Sequence, residues 1–177
     1  MEIRRLTAAD KKAFLSFNQD LVAEEAVGNV FIEAEPITDF EAYLTKILHQ
    51  EHEVADPNWS TVTTYFAFLD GQIAGKISCR WELEKGNLAG IGGHIGYVTA
   101  PRFRRQGVMK DMLTFAFQEY LKRGIEQIFI TALEKNLPSR KTIESVGGVL
   151  QDIIDVENGK RLARYWVDIR EEKKHGY

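Results

Sequence analysis

A chain of 177 residues, 44% of them apolar, has the material for one ordinary hydrophobic core, so a single domain over 1–177 is expected. A net charge of -3 provides no broad basic field, which argues against a general nucleic-acid binder or a protein held on anionic membranes. The single cysteine, Cys79, excludes an internal disulfide and a cysteine-based zinc cluster, and the four histidines are too scattered to mark a metal site.

The opening Met-Glu-Ile-Arg-Arg-Leu lacks an apolar signal core and no run has membrane-spanning length, so a cytoplasmic protein in a reducing setting is expected. Residues 3–6 read as a short strand. Thr7 with Asp10 makes a capping-box start, with Leu6 as staple, for a helix to about Glu25 whose buried face carries Phe14, Phe17 and Leu21. Thr38 with Glu41 opens a second amphipathic helix bearing Phe40, Tyr43, Leu44, Ile47 and Leu48. The segments 26–37 and 51–60 are loops, and loops carry specificity.

From Val62 the pattern turns to β: strands over 62–69 and 72–83 flank the two-residue turn Asp70-Gly71. Residues 84–93 contain Gly86, Gly90, Gly92 and Gly93, a density expected to preclude a regular element. A strand over 94–99 then leads into Arg104-Arg105-Gln106-Gly107-Val108-Met109-Lys110, the entrance to a helix with Met109, Met112, Leu113, Ala116, Phe117 and Tyr120 on one face. The first turn of a helix leaves N–H groups unpartnered and its dipole adds about half a positive charge, which suits a phosphate. Gly107 lets that phosphate approach the main chain, with Arg104, Arg105 and Lys110 as nearby cations.

The helix ends at Lys122-Arg123 with Gly124 beyond it. The strand over 125–133 is nearly continuously apolar, as expected when both faces are covered, and it should run parallel to 94–99 through a right-handed crossover. A short helix starts at Asn136-Leu137-Pro138-Ser139 and stops at Gly147-Gly148. Strands over 149–156 and 160–169 form a closing hairpin, and the charged tail 170–177 is expected to fray.

This order of elements, together with the Arg104-Arg105-Gln106-Gly107-Val108-Met109 loop, resembles the GCN5-related N-acetyltransferase (GNAT) superfamily over nearly the whole chain. The loop is similar to that family's Gln/Arg-x-x-Gly-x-Gly/Ala pyrophosphate motif, with Met109 in place of the last small residue. Within the superfamily, Gly92-Gly93-His94-Ile95-Gly96-Tyr97 and Ile143-Glu144-Ser145-Val146-Gly147-Gly148 look most like a bacterial group of acetyltransferases of undefined acceptor. The resemblance implies an α/β fold of the α+β kind: a mixed, mostly antiparallel central sheet with one parallel strand pair and helices on both faces.

It also implies acetyl-CoA as co-substrate, with no metal. The pantetheine arm would pair with the main chain of Tyr97, Val98 and Thr99 in a gap between two strands. The pyrophosphate would rest on the N–H groups of Arg105, Gln106, Gly107, Val108, Met109 and Lys110, with Arg104 facing it. Asn136 and Ser139 resemble the start of the second cofactor-facing helix. The implied reaction is direct acetyl transfer to a primary amine of a small molecule or peptide.

Family members often protonate the leaving thiolate with a tyrosine whose position is Ile143 here, which leaves Tyr97, Tyr165 or water for that step. His94 is a candidate base, its bland alternative being a hydrogen-bonded core histidine. Glu82, with Arg80 as partner, is the other candidate, its alternative being a solvent-facing strand residue. Glu33 and Glu35, between the first two helices, could attract a cationic acceptor, with a solvated loop as the more expected reading. Family members are often dimers, so a homodimer is compatible with the resemblance. Two other classes stay open at this point: a non-catalytic acyl-CoA-binding or regulatory module, and an unrelated α/β enzyme gripping a nucleotide phosphate at Gly107.

Overall fold

Alternation along one strand explains the layering. In the computed structural model, which describes residues 1–170, β2 (Val62–Leu69) is buried on both faces for six consecutive residues. Phe66 and Phe68 pack with Leu6, Phe14, Phe17, Leu21 and Phe40, the apolar stripes of α1 (Lys11–Ala26) and α2 (Phe40–His49). Tyr65 and Ala67 point the other way, into a cluster with Met112, Leu113, Phe117 and Tyr120 of α3 (Val108–Lys122). Each fully buried large side chain contributes roughly 1.5–3 kcal/mol, so the period-2 pattern of β2 fixes helices on both faces.

Two sheets result, each antiparallel throughout. One has the order β1-β2-β3-β4, with β1 (Glu2–Arg4), β3 (Gln72–Arg80) and β4 (Ile95–Thr99). The other has the order β5-β7-β6, with β5 (Gln127–Leu133), β6 (Val149–Asp155) and β7 (Arg161–Asp168). Helix α4 (Leu137–Ser145) follows β5. The mixed, largely antiparallel α/β fold is as expected. Among the described residues, no helix is long and apolar enough to cross a membrane.

The expected parallel pair does not form a ladder. β4 and β5 meet at His94 and Phe129, where the His94 N–H donates to the Phe129 carbonyl at 2.8 Å and His94 Nδ1 accepts from the Phe129 N–H at 2.9 Å. Beyond that point the Thr131 hydroxyl reaches the Ile91 carbonyl at 2.7 Å, so the segment before β4, and not β4 itself, takes up that part of β5.

That segment also overturns the irregular loop expected of 84–93: Leu88–Gly92 forms a single π turn, closed by the Gly93 N–H donating to the Leu88 carbonyl at 2.8 Å. Gly93 has a φ of +70°, and a Cβ there would lie 2.7 Å from the Phe129 carbonyl oxygen. Glycine at that position therefore lets the two sheets touch.

The helix starts largely follow their signals. The Thr7 N–H donates to Asp10 Oδ2 at 2.8 Å, although residues 8–10 form a 3-10 turn before α1 proper. The cap of α2 is Asp39, whose Oδ1 accepts from the Ala42 N–H at 3.0 Å, one residue later than Thr38. Strand β3 ends at Arg80, short of the expected Leu83. The tail beyond Arg170 lies outside the described residues.

Candidate active site

Two bonds establish which groups face the seam. The Ala100 N–H donates to the Ala74 carbonyl at 2.8 Å, and the His94 carbonyl accepts from the Arg80 N–H at 2.7 Å. Antiparallel pairing alternates, so the even positions of β4 bond to β3 and the main-chain groups of Ile95, Tyr97 and Thr99 face the gap toward β5. Val98, named with Tyr97 and Thr99, presents its main chain to β3 instead. The open edge is thus ready for an extended ligand.

At the far end of that edge a 3-10 turn, Pro101–Phe103, leads to the loop. Arg105 has a φ of +62° and Gly107 one of +77°, and the first backbone bond of α3 is the Asp111 N–H donating to the Gly107 carbonyl at 3.1 Å. Among the described residues, nothing accepts from the N–H groups of residues 105–110. Six successive free donors around two left-handed residues make a concave anion cradle at a helix N-terminus.

A Cβ at Gly107 would meet nothing within 4 Å, so the space in front of the loop is open. Val108 and Met109 turn their side chains into the core, 4% and 6% exposed. Met109, the departure from the small-residue motif, therefore leaves the loop surface clear. Arg105 and Lys110 are exposed beside it, while the Gln106 side chain folds back to donate to the Arg102 carbonyl at 3.2 Å.

Arg104 is placed differently from its expected phosphate-facing role. Its guanidinium pairs with Glu24 of α1 at 2.5 Å and donates to the Thr99 carbonyl at 3.2 Å. It ties the end of β4 to α1.

Across the gap, Asn136 Oδ1 caps α4 by accepting from the Ser139 N–H at 3.3 Å. The Ser139 hydroxyl lies 2.6 Å from the Tyr97 hydroxyl, so β4 and the first turn of α4 are bridged directly. Burial pushes the Tyr97 hydroxyl up to about 12, which keeps it protonated. Ile143 is fully buried, so the position of the family tyrosine is core. Tyr165 is engaged by α4: it donates to Glu144 Oε1 at 2.8 Å and accepts from Arg140 Nε at 2.9 Å.

His94 is 3% exposed, with its ring 5.3 Å from that of Tyr120, and burial followed by the nearby Arg80 charge pulls it down to about 4. With Nδ1 already accepting from Phe129, it is built as a clamp between the sheets. Glu82 accepts from both the N–H and the hydroxyl of Thr61, at 2.9 and 3.1 Å, and the backbone bond holds it below the usual carboxylate range. The expected Glu82–Arg80 pair is absent. Arg80 instead donates through Nη1 to the carbonyls of Gly92 and Gly93, at 3.0 and 3.2 Å. Cys79 is buried and pushed up to about 12, an inert thiol.

Glu33 and Glu35 are exposed in the loop between α1 and α2. On the α2 side of the sheet lies a cavity of about 680 Å³, bounded by Lys46 and Gln50, by Trp59 and Ser60, and by Arg80 and Lys85. Sequence reasoning missed it, because its walls come from three segments that no local pattern joins.

A sequence model of the Acetyltransferase (GNAT) family matches residues 29–147. No curated protein matches the chain. Among solved structures, ribosomal-protein-alanine N-acetyltransferase from Brucella melitensis superposes with a TM-score of 0.69 at 17% identity, covering 95% of this chain and 99% of that one. YncA, a putative acetyltransferase from Salmonella typhimurium solved with its cofactor acetyl-CoA, gives 0.65 at 13%, covering 95% and 93%. A spermidine N-acetyltransferase chimera from Vibrio cholerae and hSSAT gives 0.66 at 11%, covering 99% and 100%. At these identities the likeness is one of fold.

Proposed function

Because the chain belongs to the acetyltransferase (GNAT) family, we propose that it carries the acetyl group of acetyl-CoA directly to a primary amine of a small molecule or peptide. The observation that carries this reading is the run of six unpartnered N–H groups at 105–110, lying at the end of the open β4 edge. Phosphates fit the first, and an amide-bearing extended arm fits the second. The similarly folded YncA from Salmonella typhimurium holds acetyl-CoA as its cofactor, which supports the same donor here.

Acetyl-CoA supplies an activated acyl carbonyl and a thiol leaving group. The residues of this chain bind, orient and move protons. Arg105, Gln106, Gly107, Val108, Met109 and Lys110 offer their N–H groups to the pyrophosphate, and the exposed Arg105 and Lys110 side chains add charge. The gap-facing main-chain groups of Ile95 and Tyr97, with the Thr99 N–H, orient the arm and offer N–H donors to a developing oxyanion, the Thr99 carbonyl being taken by Arg104. Tyr97 is the candidate proton donor, because its hydroxyl is protonated and sits against the first turn of α4. Neither His94 nor Glu82 is free to act as a strong base: one is a weakly basic clamp and the other a locked carboxylate. The acceptor amine is therefore taken up neutral or loses its proton to water.

Calorimetric titration with acetyl-CoA, with CoA and ATP as comparisons, tests the donor. Gly107→Glu, which places bulk and negative charge in open space before the cradle, should weaken acetyl-CoA binding by about tenfold or more. Unchanged affinity removes the loop from the site. The buried Ile143 favours one second reading, a non-catalytic acyl-CoA-binding module, which tight binding without thiol release over a broad amine panel would support.

A further inference from the structure

The Arg80 guanidinium is half-buried, yet no carboxylate touches it among the described residues. Nη1 is used on the Gly92 and Gly93 carbonyls, while Nη2 and Nε have no protein acceptor. A half-buried cation with a free face is costly unless something anionic completes it. That face lies on the cavity wall.

The rest of the wall has the same sign. Lys46 and Lys85 also line the cavity, and the Lys85 ammonium donates only to the Pro57 carbonyl, at 3.1 Å. The one carboxylate on the wall, Glu53, lies 3.6 Å from the exposed His49, just beyond the end of α2 and away from Arg80 in sequence. Near the wall, Glu82 is held ionised by Thr61 and faces the charge of Lys85, which leaves Arg80 and Lys46 as the cations without a carboxylate partner among the described residues. Three cations, Lys46, Arg80 and Lys85, against one carboxylate, Glu53, give the lining of the cavity a positive balance.

Arg80 also joins this recess to the seam. A Cβ at Gly96 would lie 3.2 Å from Nη2, so glycine there leaves the guanidinium lying directly over β4, next to Tyr97. The recess has no wall from β4 itself and meets that strand only through Arg80, whose guanidinium lies over Gly96. A carboxylate held by Arg80 in the recess would bring the rest of its molecule beside β4.

Resting on the proposed acetyl transfer, we propose that the acceptor is an amine that also carries a carboxylate, of the amino-acid class, with Arg80 receiving the carboxylate as a fork and Lys46 and Lys85 supplying the surrounding field. The polar wall then works against polycationic amines. This reverses the sign expected from Glu33 and Glu35, which lie on the exposed loop.

Acceptor choice is measured by thiol release at saturating acetyl-CoA, using each L-amino acid as free acid and as its carboxamide. The free acids should be preferred by about tenfold or more in kcat/KM. Arg80→Gln should erase most of that preference, and Lys46→Gln, on a side chain that makes no hydrogen bond among the described residues, should reduce it by a few-fold. If Arg80→Gln fails to fold, the acid-to-amide ratio of the unaltered protein and its change in Lys46→Gln decide the matter. Equal or better use of carboxamides, or acetyl-CoA binding with turnover of cationic amines alone or of no amine, overturns the carboxylate proposal and leaves the donor reading standing. Failure to bind acetyl-CoA overturns the donor reading itself.

Discussion

His94 should make this protein acid-sensitive well above the carboxylate range. Its ordinary value is 6.5 and burial lowers it to about 4. As the pH falls through 6.5, the unfolded chain takes up a proton that the folded chain refuses until about pH 4, so stability is full above about 6.5 and declines between those values. One unit of difference is about 1.4 kcal/mol, and integrating the two titrations gives a loss of about 2 kcal/mol between pH 7 and pH 5. The carboxylates held low by their partners, Asp10 and Glu82 among them, lose their contributions lower on the scale and add little there. Urea unfolding at the two pH values, on the unaltered protein and on His94→Asn, isolates the histidine's share. The amide oxygen of Asn retains an acceptor for the Phe129 N–H, and any fixed cost of lost ring packing cancels when each protein is compared with itself. The unaltered protein should lose about 2 kcal/mol more than the variant over that interval. Equal losses in the two proteins would refute the burial argument and return His94 to the role of a titrating, accessible base.

Arg104→Ala should lower stability by about 1–3 kcal/mol in urea unfolding, because Glu24 would lose its cation while its Oε2 is already buried without a hydrogen-bond partner. A neutral result would show that the α1–β4 tie contributes nothing. Tyr97→Phe should lower kcat by about tenfold or more while leaving the acetyl-CoA affinity within a few-fold, if the hydroxyl donates the proton to the departing thiolate. A loss confined to stability, of about 1 kcal/mol for the Ser139 bridge, would return that step to water.

Much of the architecture was legible because it is written in neighbours. Asp70-Gly71 forms the hairpin turn it signals, with both residues at positive φ, and the Phe66/Phe68 alternation gives the α1/α2 face. Gly107 and Gly124 bracket α3 in left-handed conformations, as a helix entrance and a C-terminal stop require. The cradle itself is a local property of one loop, so its residues could be named in advance. What was not legible depends on partners distant in sequence. Glu24 claims Arg104 from 80 residues away, and Phe129 claims His94 from 35 away. The π turn at Leu88–Gly92 escaped notice because glycine density signals freedom of the chain, whereas here the glycine at 93 serves a close contact with β5.

The same long-range contacts decide how the chemistry is divided. The clamp at His94 and Phe129 holds the sheets together at one point, and beyond it the β4 edge stays free while the Thr131 hydroxyl bonds the Ile91 carbonyl. An unpaired edge is a hazard for aggregation unless something covers it. Here the edge ends on a loop of free N–H groups on the α3 side, and Arg80, lying over Gly96, links the strand to a recess bordered by α2. A ligand that is strand-like along its middle and anionic at one end satisfies the edge and the loop together, which is why the donor fits this geometry better than a compact nucleotide does. On the other face, the missing Cβ at Gly96 makes room for the Arg80 guanidinium over β4, which is where the acceptor is proposed to be held. With the donor along the β4 edge and the acceptor proposed beside Arg80, direct transfer needs no covalent enzyme intermediate, and the buried, protonated Cys79 is in no state to form one.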